Sequence, residues 1–119
     1  MMANDKVVKK SSIKIDIGLN EEKVPVAMRW AASDNKDDKP RACKAMMLAM
    51  FDKENKDTLR IDLWTKEMQV IEMDRFFFQT LRSMADSYYK ATQNAELATA
   101  MQQFVQYFGE KTEIIPKDQ

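Results

Sequence analysis

The stretch whose reading decides the fold is CKAMMLAMFDKENKDTLRIDLWT, Cys43 to Thr65. Two apolar runs, Cys43 to Phe51 and Thr58 to Thr65, flank the polar link DKENKD at 52–57. Strand-length runs on either side of a charged link are the pattern of a β-hairpin. Setting Phe51 against Thr58 brings Met50 to Leu59, Leu48 to Ile61 and Met46 to Leu63, so one pairing gathers the large aliphatic side chains on a single face. Ala, Met, Leu and Lys are also good helix formers, which makes a helix over 43–51 the competing reading. That helix would leave the run at 58–65 without a neighbour, and the hairpin is preferred.

Upstream, Ile13, Ile15, Ile17 and Leu19 alternate with Lys14 and Asp16, the period of two that puts apolar residues on one face of a strand. After the polar turn Asn20 to Lys23, Val24, Val26, Met28 and Trp30 alternate in the same way. Pairing Leu19 with Val24 sets Ile17 against Val26, Ile15 against Met28 and Ile13 against Trp30, with both apolar faces on one side. Ser33 to Pro40 is a charged loop with nothing to bury.

Downstream of Glu67 the period changes. Val70, Met73, Phe77, Leu81, Met84 and Tyr88 form the stripe of an amphipathic helix, with Glu72 and Asp74 in its first turns, where negative charge suits the helix dipole. Thr92-Gln93-Asn94 interrupts it, and Asn94 is placed to cap a second helix striped by Leu97, Met101, Phe104, Val105 and Phe108. The expected fold class is α+β: a four-stranded antiparallel sheet (ββββ) followed by a two-helix hairpin. A single domain is expected over 12–115, between flexible segments at 1–11 and 116–119.

Composition excludes several classes of function. Nineteen Lys plus Arg balance nineteen Asp plus Glu, so no net field favours nucleic acid or an acidic membrane surface. The chain has no His, which removes Ser-His-Asp, Cys-His and His-based metal sites together. Two glycines, Gly18 and Gly109, cannot form a phosphate-binding loop or a dinucleotide fingerprint. The single Cys43 rules out an intrachain disulfide and, with no export signal in Met1 to Ser12, points to the cytoplasm. No apolar run approaches the roughly twenty residues needed to cross a bilayer. No cofactor, no metal and no catalytic residue is expected. Carboxylate pairs such as Asp62 with Glu67 fit solvated surface charge, and a lone Cys in an apolar strand fits a small buried hydrophobe.

The candidate functional residues are those that a simple core does not use. Ala45, Met47, Ala49, Asp62 and Trp64 share the other face of the 43–65 hairpin, together with Cys43, Phe51 and Arg60. A strand that is apolar on both sides is usually covered on both sides. A partner protein or a second copy of the chain is therefore expected on this face, the alternative being coverage by the chain's own helices or a coil. Ten methionines agree with an adaptable surface, although most fall at expected core positions. A helix cannot hide Phe76, Phe77 and Phe78 on one stripe, so one of them, assigned to Phe78, joins the candidate interface.

The segment KDTLRIDLWTKEMQVIEMDRFFFQTL, Lys56 to Leu81, with Met84-Ala85-Asp86 and Tyr107 to Lys111, resembles the gliding motility-associated GldC family of Bacteroidetes. The likeness extends from about Ser12 to Ile115, including the Ile alternation and Lys23-Val24-Pro25, and is densest in LRIDLWTKEM at 59–68. The resemblance implies a cytoplasmic accessory protein of the gliding machinery with no assigned enzymatic activity and no catalytic residues to carry over. The family pattern often has His where this chain has Phe78, which argues against a titratable role there. The leading expectation is a non-enzymatic protein-interaction module, a homo-oligomer that also meets a motility or envelope component. The alternative is a holdase chaperone for export or envelope proteins like SecB, which shares the order of elements but no motif.

Overall fold

A computed structural model describes residues 5–34 and 39–116. Residues 1–4 of the expected N-terminal segment, 35–38 of the charged loop and 117–119 of the tail lie outside the described residues. The elements run β1 (Ile13–Leu19), β2 (Pro25–Ala32), β3 (Arg41–Cys43), β4 (Ala45–Phe51), β5 (Thr58–Trp64), α1 (Val70–Thr92) and α2 (Ala95–Lys111). The fold is α+β with antiparallel sheets and two helices. The chain divides into two compact units, Met1–Met68 with the strands and Gln69–Gln119 with the helices.

The strands do not form the single four-stranded sheet expected from the alternation. They form a three-stranded sheet in the order β1-β2-β3 and a two-stranded sheet of β4 and β5. The run from Cys43 to Phe51 is divided at Lys44. Before it, Cys43 pairs with Met28 of β2; after it, Ala45 pairs with Trp64 of β5. One apolar run thus serves two sheets, and Cys43 lies outside the hairpin in which the sequence placed it.

The β1–β2 pairing is displaced by two residues from the expected register: Ile17 faces Met28, Ile15 faces Trp30 and Ile13 faces Ala32. The turn is the cause. Asn20 N–H donates to the Val24 carbonyl, so the turn closes on Asn20 and Val24 rather than on Leu19 and Val24. A bulge between Gly18 and Leu19 then adds a second single-residue step. Either step alone would exchange the two faces of the strand; together they restore the original face. The Asn20 carboxamide holds the turn by accepting from the N–H groups of Glu22 and Val24, and Lys23 takes a left-handed conformation. Met28, on the central strand, is fully buried.

In the second unit, α1 and α2 occupy the expected spans. Glu72 accepts from the N–H of Gln69 at the start of α1, and Asn94 accepts from Leu97 N–H at 3.0 Å as the cap of α2. The link between the helices is short because Gln93 adopts a left-handed conformation and donates its N–H to Tyr89 O, closing the last turn of α1. Phe78 and Ala85 of α1, and Ala98, Val105 and Gly109 of α2, are buried. Alanine and glycine at such positions let helix axes approach closely.

Candidate functional site

The β4–β5 hairpin carries the predicted interaction residues. Its observed register agrees with the sequence reading at each paired position: Phe51 with Thr58, Met50 with Leu59, Leu48 with Ile61 and Met46 with Leu63. The connection is held by its own polar groups. Asp52 Oδ2 accepts from Glu54 and Asn55 N–H, Asn55 Oδ1 accepts from Asp57 N–H, and Lys56 reverses the chain at φ 60°. These Asx interactions hold the loop, while Lys56 occupies the left-handed position that glycine favours.

Pleating then fixes which side chains share a face. Ala45, Met47 and Ala49 stand opposite Trp64, Asp62 and Arg60 on one side, and Phe51 stands opposite Thr58. Five of the six predicted interface residues therefore lie together. Ala45 and Met47 are half-buried, whereas Ala49, Asp62 and Trp64 are exposed. The sixth does not join them. Phe78 is buried inside the helical unit, while Phe77 is the member of the Phe76–Phe78 run left exposed.

Sequence reasoning missed the condition of the opposite face. Met46, Leu48, Met50, Leu59, Ile61 and Leu63 were expected to form the core face, yet Met50, Leu59 and Ile61 are exposed, and Phe51 at the hairpin's end is 70% exposed. A two-stranded ribbon has too little width to bury either side, so both faces offer apolar surface. Recognising the division at Lys44 would have been the only route to this from the residues.

The polar features are few. Arg60 donates from Nη2 to Asp62 Oδ1 at 2.6 Å, along one strand and on one face. Thr65 is fully buried; its N–H donates to Lys44 O and its carbonyl accepts from Met68 N–H, but its hydroxyl has no partner among the described residues. The described residues contain no group of three His, Cys, Asp or Glu that could hold a metal ion. No helix among them is long and apolar enough to cross a membrane. The helical unit adds an apolar groove of about 350 Å³ lined by Leu81, Leu97, Ala100, Met101, Phe104 and Val105. What the arrangement offers, among the described residues, is exposed apolar side chains on a two-stranded sheet.

Comparison with curated proteins and with solved structures finds no match to this chain. The family model of gliding motility-associated GldC-like proteins matches residues 25–114, which takes in β2 through α2 and the whole candidate hairpin. The chain belongs to the GldC-like family of gliding motility-associated proteins.

Proposed function

We propose that this chain is a non-enzymatic accessory module of the gliding machinery, which acts by protein–protein contact as a homo-oligomer that also engages a motility or envelope component. Its working surface is the hairpin face formed by Ala45, Met47, Ala49, Asp62 and Trp64. The observation that carries the reading is the exposure of large apolar side chains on a two-stranded ribbon: Trp64 at 54% and Phe51 at 70% on this face, and Leu59 at 56% on the other. Large exposed apolar side chains gathered on one short hairpin support its reading as an interaction site. We assign the module to the cytoplasm, a reading supported by the single Cys43, which suits a reducing compartment.

The test is the mass of the purified protein in solution, measured by light scattering over a concentration series. Wild type is expected to self-associate. Met47→Asp sets a second carboxylate opposite Asp62, and Trp64→Ser removes the largest exposed ring of the face; each is expected to weaken assembly while the circular dichroism stays that of the wild type. Folded variants that assemble like wild type would overturn this surface. Suppression of aggregation of an unrelated unfolded protein, without assembly, would favour the holdase reading instead.

A further inference from the structure

The β4–β5 sheet has an unused edge, and the residues along it match a second copy of themselves. Among the described residues, β5 pairs with β4 alone. The hydrogen bonds at the two ends of the hairpin show which backbone groups remain free: Thr65 N–H donates to Lys44 O, and Asp52 N–H donates to Asp57 O. Backbone groups on a strand point alternately to one side and the other. Residues 59, 61 and 63 therefore turn their N–H and C=O toward β4, while Thr58, Arg60, Asp62 and Trp64 turn theirs to the open edge.

We infer that β5 pairs antiparallel with β5 of a second copy about a two-fold axis through Ile61. In that register Arg60 faces Asp62 of the other copy, Asp62 faces its Arg60, Thr58 faces its Trp64, and Leu59 faces its Leu63. Every outward-pointing backbone group then meets an outward-pointing one, giving about eight hydrogen bonds, two for each of four facing pairs. Charge selects this register over its neighbours. A shift one way sets Arg60 against Arg60, and a shift the other way sets Asp62 against Asp62, both of which are repulsive. The intrastrand pair of Arg60 and Asp62 becomes one half of a four-charge ring across the axis. The pairing also extends a two-stranded ribbon, marginal by itself in water, to four strands with Leu59, Ile61 and Leu63 continuous on one face. A two-fold contact of one patch with itself is the commonest way identical chains associate.

This inference rests on the reading that the hairpin is the interaction surface and names its self-association edge. Residue-resolved hydrogen exchange on the wild-type chain tests it directly. In concentrated protein, the amides of Arg60, Asp62 and Trp64 are expected to be protected alongside those of Leu59, Ile61 and Leu63, and to lose that protection on dilution while the odd-numbered amides keep theirs. Arg60→Asp and Asp62→Arg are each expected to weaken dimerisation at least about tenfold, and the double swap Arg60→Asp/Asp62→Arg is expected to restore it. Unprotected even-numbered amides at concentrations where the protein is a dimer, or a strict monomer at all concentrations, would overturn the edge. A folded double swap that stays monomeric would overturn the register. The two readings fail separately: Met47→Asp protein that assembles like wild type with residues 60, 62 and 64 still protected overturns the face and leaves the edge, whereas weakened assembly of Met47→Asp beside a wild-type assembly whose residues 60, 62 and 64 exchange freely overturns the edge and leaves the face.

Discussion

A Cβ built on Gly109 of α2 falls 2.7 Å from Cε1 of Phe78 on α1, and 2.5 Å and 2.8 Å from two side-chain carbons of Ile115. Phe78 and Ile115 thus close over the glycine from two directions. Ile115 is held there because its N–H donates to the Gly109 carbonyl as the chain folds back after α2.

Gly109→Ala should consequently destabilise the helical unit. Alanine gains about 1 kcal/mol in helix propensity, but overpacking a buried site costs about 1–3 kcal/mol. A net loss of about 1 kcal/mol is expected in chemical denaturation. Adding Ile115→Ala removes both close Ile115 carbons, so the double variant should be more stable than the sum of the two single effects.

Thr65→Val should have the opposite sign. The hydroxyl is buried without a partner among the described residues, and replacing it with a methyl removes an unmatched desolvation cost. A gain of about 1 kcal/mol is expected, read as a rise in the thermal midpoint. A loss of stability would mean that the hydroxyl has a partner in solution.

Asn94→Ala removes the acceptor for Leu97 N–H at the start of α2 and should cost about 1 kcal/mol. Asn94→Asp keeps an acceptor at the helix start and should stay close to wild type. Urea unfolding of the two variants side by side checks this.

Lys56 turns the β4–β5 loop with φ 60°, a region that side chains enter at a cost. Lys56→Gly should leave the hairpin as stable or stabilise it by a few tenths of a kcal/mol, whereas Lys56→Val should destabilise it by about 1–2 kcal/mol. Proton exchange of the β5 amides reports the effect locally.

Much of this protein was determined by local pattern. The register of β4 and β5 followed from the alternation of Met46, Leu48 and Met50 with Leu59, Ile61 and Leu63, because only one in-phase pairing uses the whole of both runs. The helices and the Asn94 cap followed from a change of period and a polar break. Tertiary structure alone decided three matters. A strand has a side-chain period of two, so the two-residue displacement between β1 and β2 leaves every apolar residue on the same face and is invisible to alternation; Asn20 and the bulge at Gly18 set it. The division at Lys44 sends one run to two partners, and a single charged residue between Cys43 and Ala45 fits the solvent side of an unbroken strand as well as a break. The choice of Phe78 over Phe77 for burial depends on where α2 presents Gly109, whose missing side chain makes the space that one aromatic ring can fill.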